Sequence, residues 1–425
     1  MAAGGVGPGL RDLYEVGEIP PLGHVPKQMY AWAIRKERHG PPEAAMQVEV
    51  VPTWELDSHD VLVLVMAAGV NYNGVWAALG KPLSTLDVHK QPYHIAGSDA
   101  SGIVYAVGSK VKRWKVGDEV VVHCNQDDGD DEECNGGDPM FSPSQRIWGY
   151  ETPDGSFAQF CRVQDRQLLE RPRHLTWEES ASYMLVLATA YRMLFGHRPH
   201  VLRPGHNVLV WGASGGLGSM AVQLIATSGA NAIGVVSDEE KRDFVMQLGA
   251  RGVINRNKFN CWGELPKVGT PEYEAWFKEA RKFGAGIWEI TGKETMSTSS
   301  SSTLVRRPFR LRARGKAGRH GGDLRGHHGL QSHHGRALSV DASEACAGLA
   351  LRQSAAGRAG QQTSGRASHR SCHVRSLSLV TNSWAHTRMW KNEHRPGNMA
   401  VLVNAQRTGL RTFEDVIEEG RARFS

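Results

Sequence analysis

The sequence predicts an α/β protein in which a β-rich domain precedes a doubly wound, parallel-sheet domain that is disrupted from about residue 297. Three observations predict it. Between Met29 and about Phe160, β-branched runs are separated by Gly, Asp and Asn turns. Residues 176–196 then read as helix. From His206 onward an apolar strand, a glycine-rich turn, a helix and a second strand follow at the spacing of a βαβ unit.

The elements follow in order. Residues 1–25 read as a polar arm rich in Gly and Pro, and residues 26–185 as the β-rich domain. Its strands are the runs VEVVPTWEL, DVLVLVMAAGV, SGIVYAVGS and DEVVVHC. Thr176 is placed to cap the helix over 176–196, and Glu179 completes a capping box. Residues 186–384 read as the parallel-sheet domain, with strands at Val208 to Trp211, Ala232 to Val236 and around Val253. A helix spans Asp238 to Leu248, and GIWEITGKE is expected to begin the fourth strand region. Ordinary globular sequence resumes over residues 385–425.

The 425 residues suffice for two domains with sizeable cores, and 40% hydrophobic with 22% charged residues is a globular balance. No run of about 18 apolar residues argues for a membrane span, and the opening MAAGGVGPGLRDLYEVGEIPP lacks the order of a secretory signal. Six cysteines stand far apart without a C-x-x-C pair, which argues against a disulfide framework and for reduced thiols in the cytoplasm.

Residues 297–384 depart from this grammar. They hold 13 Arg and one Lys against three acidic residues, a net of +11, so the remainder carries −5 of the formal +6. One reading is a disordered basic insert that binds nucleic acid, which predicts steeply salt-dependent binding mapping to this stretch. Only two aromatic residues are available there for base stacking, so that reading is disfavoured.

The other reading is a frame error. His320 to Gln331, HGGDLRGHHGLQ, has a permitted codon set that, read one nucleotide later, gives MVVICAGTTGF, an apolar strand with its turn. Ser297 to Arg310 yields VDIVFEHPGEATF with a different offset, and Ala337 to Ser354 yields RYLWMHQKRVQGSHFAN. Degeneracy makes one match weak; three that each restore globular sequence favour several insertions or deletions. A chain folded with the printed stretch is expected to lose its parallel sheet, because buried strands would be replaced by Arg and His runs.

The chemistry-bearing motif is GASGGLG, Gly212 to Gly218, between a strand and a helix. Its glycines let the backbone approach a pyrophosphate, and the helix N-terminus offers N–H donors to it. Gly212, Ser214, Gly215, Gly216, Leu217 and Gly218 are the candidate cofactor contacts, with Thr189 included. The second strand ends at Ser237 rather than at an acidic residue, with Lys241 and Arg242 on the next turn. That set suits a 2′-phosphate and favours NADPH over NADH. Asp238, Glu239 and Glu240 suit the N-terminus of the following helix.

GSDASGIVYAVGSKVKRWKVGDEVVVH, Gly97 to His123, resembles the medium-chain dehydrogenase/reductase superfamily. The resemblance implies a GroES-like catalytic domain over 26–185, a Rossmann NADPH-binding domain over 186–384 and a C-terminal return to the catalytic domain over 385–425. Zinc alcohol dehydrogenases of that superfamily carry His-Glu where this chain has Ser98-Asp99, and the cluster of four cysteines is missing. The resemblance is therefore to a zinc-free branch, with no metal expected. His123, Cys124 and Cys134 could form a metal trio, but ordinary loop residues are the favoured reading.

VMAAGVNYNGVWAALG, the acidic stretch running to QRIWGYETPDGSFAQF, and KNEHRPGNMAVLVNAQRTGLRTFEDV narrow the match to the crotonyl-CoA carboxylase/reductase family. The resemblance covers about 12–294 and 385–423. It implies hydride transfer from NADPH to the β-carbon of crotonyl-CoA or a related 2-enoyl-CoA, then enolate attack on CO2 to give ethylmalonyl-CoA, or protonation to butyryl-CoA without CO2. It further implies that Asn73 hydrogen-bonds CO2, that Tyr150 contributes its backbone and that Glu151 helps order the site. The plain alternatives are that Asn73 is a turn residue and Glu151 a solvated carboxylate. The family's remaining CO2-site histidine belongs to GSHFAN, whose codon straddles Ala350 and Leu351 in the printed frame, so that histidine is absent from the printed stretch and a chain carrying that stretch is expected to have lost proper carboxylation. A homodimer or homotetramer is expected, with neither nucleic acid nor membrane as partner. The competing readings are a non-carboxylating enoyl-thioester reductase and a quinone reductase.

Overall fold

The β-branched runs fold as strands where the sequence places them. The computed structural model describes residues 10–196, 201–292, 376–377 and 382–424. The anomalous stretch 297–384 lies outside the described residues except at 376–377 and 382–384. The chain divides into two compact units, Met1–Ala188 with His334–Ser425, and Thr189–His333.

In the first unit the strands are β1 (Gln28–Ile34), β2 (Met46–Pro52), β3 (Asp60–Val70), β4 (His94–Ile95), β5 (Ala100–Val107), β6 (Glu119–Val122), β7 (Asn125–Gln126), β8 (Arg146–Ile147), β9 (Phe160–Gln164) and β10 (Leu168–Glu170). Strands β11 (Asn207–Trp211), β12 (Asn231–Val236) and β13 (Gly252–Asn255) belong to the second unit, and β14 (Ser376–Leu377) and β15 (Met399–Leu402) return to the first. Helices are α1 (Pro42–Ala45), α2 (Tyr72–Leu79), α3 (Trp177–Ser180), α4 (Met184–Phe195), α5 (Gly216–Thr227), α6 (Glu240–Gln247), α7 (Pro271–Thr291), α8 (Asn382–Lys391) and α9 (Phe413–Phe424).

Strand β3 organises the first unit. It pairs antiparallel with β5 along most of its length, with β9 over Asp60–Leu64 and with β15 over Ala67–Val70. Every residue from Val61 to Val70 is consequently buried, which explains a continuous apolar run where a half-exposed strand would alternate. The order β10-β6-β5-β3-β15-β14 completes this sheet, and β2-β1-β4 forms a second one. Trp148, Trp177, Tyr105, Phe157 and Phe160 are the largest side chains of the core. The Asn404 amide donates to the carbonyls of Val65 (2.8 Å) and Gln159 (3.0 Å), stapling the C-terminal return onto the sheet.

Residues 10–27 are not a free arm. Tyr14 is buried, Gln159 Nε2 donates to the carbonyls of Tyr14 and Glu15 (3.2 Å each), and Tyr105 Oη donates to Pro20 O (2.8 Å). The apolar Val16, Ile19 and Val25 pack on the core and hold the polar segment down.

Two element expectations need correction. The helix expected over 176–196 is split into α3 and α4. Its capping box forms as read, with Glu179 N donating to Thr176 Oγ1 (3.3 Å) and Thr176 N to Glu179 Oε2 (3.0 Å). The chain then breaks over 181–183, because Ser182 O accepts from the Asn398 amide (2.8 Å) and the Leu185 N–H donates to Asp99 (2.8 Å). Tertiary partners replace the helical ones. The second correction concerns GIWEITGKE. Gly286–Thr291 end the 21-residue helix α7 rather than begin a strand region. Thr270 caps α7 and Ala280, Phe283, Ile287 and Thr291 are its buried stripe, a three-to-four spacing that outweighs the roughly 1 kcal/mol each helical glycine costs.

In the second unit β11, β12 and β13 pair in parallel with contiguous register, Val208 opposite Ala232 and Gly234 opposite Val253, so the parallel sheet expected to be lost is formed over these three strands, all of which precede the anomalous stretch. Helix α5 joins the first two strands and α6 the next two, each in the place read from the sequence. Leu209, Ile233, Val235 and Ile254 meet Phe283 and Ile287 of α7 in the core of this unit.

Candidate active site

Strand β3 delivers the chain to Asn71, the N-cap residue of α2, whose first turn carries Asn73. The two asparagines are held from one place. Asn71 Nδ2 donates to Asp99 Oδ2 (2.8 Å), and Asn73 Nδ2 donates to Ser98 Oγ (2.6 Å). Ser98 and Asp99 are both buried, between β4 and β5, while Asn73 is half-buried. Burial pushes the Asp99 carboxyl up to about 7, against the hydrogen bonds from Asn71 and the Leu185 amide.

The Tyr150–Glu151 turn lies against the same segment. Gly149 has φ +70°, and a Cβ there would stand 1.9 Å from Gly97 O, so only glycine admits this approach. The Tyr150 ring stands edge-on to Trp76 of α2 with centroids 6.4 Å apart, and Trp76 meets Tyr72 at 5.4 Å. Burial raises the Tyr150 phenol above its ordinary pKa, and the Glu151 charge adds to the shift, so the phenol stays neutral. Glu151 Oε2 accepts from Ile147 N (2.7 Å), closing its own turn. Thr152 Oγ1 donates to Asp154 Oδ1 (2.6 Å), and Arg162 Nε donates to Asp154 Oδ2 (3.0 Å), which fixes the far side of the loop. Asn73 and Tyr150 are thus joined through Trp76 and the Gly97–Gly149 contact, while one Glu151 oxygen is spent on the Ile147 N–H.

In the second unit the Gly212 turn has φ +61° and open space where its Cβ would be. Gly218 packs so tightly that a Cβ would sit 2.2 Å from Gly212 O, bringing α5 onto the turn. Gly215 is the N-cap and supplies no side-chain cap, so the first N–H groups of this 12-residue helix are left for another acceptor. Ser214 is buried within the turn, and Gly215, Gly216 and Leu217 are half-buried. A pyrophosphate fits these residues: an uncrowded glycine, an uncapped helix start and their shared N–H groups.

At the end of β12, Lys241 Nζ donates to Ser237 Oγ (3.0 Å) and pairs with Asp238 Oδ2 (2.8 Å). Partial burial opposes the charged Asp238 carboxylate, but the bond and charge of Lys241 hold its pKa below the ordinary value. Asp238 also accepts the Lys241 N–H (3.1 Å), which is the helix-start role read from the sequence. Arg242 is exposed, its guanidinium 3.5 Å from Val253 O, and does not join Ser237 and Lys241. Thr189 is buried on α4.

His123, Cys124 and Cys134 do not converge. Among the described residues the group whose ligand atoms lie within 4.8 Å of one another is Asp128, Asp131 and Cys134. Cys124 is buried, which pushes its thiol pKa well up, and His123 Nδ1 accepts from Asn125 N (3.2 Å). The sequence reading missed Ser98, Asp99 and Asn71 as parts of the site, having used Ser98-Asp99 only as a departure from the zinc pattern. Their buried polar character beside an N-x-N was the available signal.

Residues 57–173 match the model of the alcohol dehydrogenase GroES-like domain. The crotonyl-CoA carboxylase/reductase of Cereibacter sphaeroides is 62% identical, over 97% of this chain and 96% of that protein. The chain belongs to the crotonyl-CoA carboxylase/reductase family. The solved structure of a crotonyl-CoA carboxylase/reductase superposes with a TM-score of 0.80 at 54% identity, covering 97% of this chain and 96% of that one. The crotonyl-CoA carboxylase/reductase AntE, solved in complex with NADP, gives 0.75 at 37% identity over 93% of this chain and all (100%) of its own. The fold is accordingly the α/β architecture of the family, a GroES-like domain with a Rossmann domain. Among the described residues no helix is long and apolar enough to cross a membrane.

Proposed function

We propose that this chain reduces crotonyl-CoA, or a related 2-enoyl-CoA, with NADPH and carboxylates it at the α-carbon to give ethylmalonyl-CoA. The observation that supports this most is the Asn73 amide fixed at the buried Ser98 hydroxyl beside the Tyr150–Glu151 turn. When bound, NADPH supplies the hydride that the β-carbon accepts. The glycine turn from Gly212 to Gly218 would hold its pyrophosphate, and Ser237 with Lys241 its 2′-phosphate.

Hydride arrival at the β-carbon moves an electron pair onto the thioester, making an enolate. The α-carbon then forms a bond to the carbon of CO2, one C=O π pair becomes the carboxylate, and no proton is consumed. Asn73 has one N–H committed to Ser98 and a second to donate to a CO2 oxygen, where negative charge develops. The Tyr150 backbone and Glu151 order the facing side. Excluding water matters because a proton at the α-carbon would give butyryl-CoA instead.

The setting this reading implies is a cytoplasmic homo-oligomer, dimer or tetramer, whose size light scattering will settle. We also infer that residues 297–384 are printed partly out of frame. Sequencing codons 290–390 decides this: reading through VFEHPGEATF, MVVICAGTTGF and GSHFAN supports it, and an Arg/His/Ser stretch in the DNA overturns it. For the reaction itself, the protein expressed from its gene is given crotonyl-CoA and NADPH with and without bicarbonate. Ethylmalonyl-CoA with bicarbonate and butyryl-CoA without it is the expected pair, and butyryl-CoA in both would leave a plain reductase.

A further inference from the structure

We infer that the Ser98–Asp99 pair is a clamp that sets the Asn73 carboxamide, making Ser98 a positioning residue that decides how well CO2 competes with protonation. The inference rests on the CO2 role proposed for Asn73.

A free asparagine amide on the first turn of a helix can rotate, presenting either its oxygen or its nitrogen. Here Ser98, with no exposed surface, accepts one Asn73 N–H at 2.6 Å. That bond fixes which end is which and leaves the second N–H and Oδ1 directed away from the hydroxyl. Asp99 does the same for the residue two positions earlier, its Oδ2 taking the Asn71 N–H at 2.8 Å. Its other oxygen takes the Leu185 N–H at 2.8 Å, so the clamp is itself anchored at the start of α4.

The independent sign is what Asn71 gives up. An N-cap asparagine ordinarily accepts a backbone N–H of its own helix, which is worth about 1 kcal/mol. Asn71 occupies the N-cap of α2 with extended backbone and makes no such bond. Its side chain is turned to Asp99 instead. A local stabilising rule is broken beside the candidate CO2 residue, and what replaces it is a fixed geometry.

The test is Ser98→Ala in the full-length protein, read as the ratio of ethylmalonyl-CoA to butyryl-CoA formed at limiting bicarbonate. The ratio is internal to each mixture, so it is independent of how much protein is folded. The clamp predicts a fall of about tenfold, the scale of one lost hydrogen bond. Ser98→Thr, which keeps a hydroxyl, should recover most of it. An unchanged ratio in Ser98→Ala overturns the clamp. Wild-type protein that makes no ethylmalonyl-CoA would instead overturn the function proposed above. The clamp is then judged on protein labelled with ¹⁵N-asparagine. One slowly exchanging Asn73 side-chain N–H, lost in Ser98→Ala, supports it, and unaltered exchange rejects it.

Discussion

The two halves of the candidate machinery are built in opposite ways. In the second unit the proposed cofactor residues lie in local motifs: a seven-residue turn from Gly212 to Gly218, and Ser237 bonded to Lys241 four positions on. In the first unit, the Glu151 bond to Ile147 aside, the site residues are set from a distance. Asn73 is set by Ser98, Asn71 by Asp99, and the Tyr150 turn is seated by Gly149 on Gly97. The lesson is that a site made at a helix start can be read as a motif. A site made by three loops meeting is encoded in contacts that spacing does not show.

The sharpest way to break this contrast is to place a methyl at a glycine in each unit. Gly149→Ala puts a Cβ into Gly97 O in a left-handed conformation, and should cost about 3 kcal/mol or more of stability in urea unfolding. Gly212→Ala meets open space and should cost only about 1 kcal/mol, its larger effect being weaker NADPH binding. Equal losses of stability would erase the distinction. Next in size, Asn73→Ala should lower the rate of carboxylation on the order of 100-fold while reduction to butyryl-CoA persists, measured by product analysis. A proportionate loss of both products would reduce Asn73 to a turn residue.

Lys241→Ala tests the local half. It removes the cation held at Ser237, and the KM for NADPH should rise about tenfold with little change for NADH. A parallel rise for both cofactors would show that Lys241 does not read the 2′-phosphate. The smallest effect is on pH. The Asp99 carboxyl is raised from 3.8 to about 7 in the fold, so its contribution is complete below the unfolded value and is lost as pH rises through about 7. Between pH about 6 and about 7 the wild type should lose on the order of 1 kcal/mol that Asp99→Asn does not lose. Parallel urea-unfolding curves for the two proteins across that window would contradict a buried, proton-holding Asp99.

The same contrast explains what the sequence made legible. Strands β3, β5, β6, β11 and β12 announced themselves because burial writes a β-branched pattern, and the Thr176–Glu179 box because capping is local. The break at 181–183 was hidden, since the bonds that cause it come from Asp99 and Asn398. The end of α7 was misread because Gly284 and Gly286 look like strand or turn punctuation, although the Phe283–Ile287–Thr291 stripe carries the helix past them. Ser98 and Asp99 were visible only as missing zinc ligands. Their function as hydrogen-bond partners depends on where β3 ends in space, which no run of neighbouring residues records.

The most direct measurement is the incorporation of isotopically labelled bicarbonate into the CoA thioester by protein expressed from the gene. Labelled ethylmalonyl-CoA formed from crotonyl-CoA in step with NADPH consumption is the predicted result. NADPH consumption that yields only unlabelled butyryl-CoA at saturating bicarbonate would contradict reductive carboxylation as the reaction of this site.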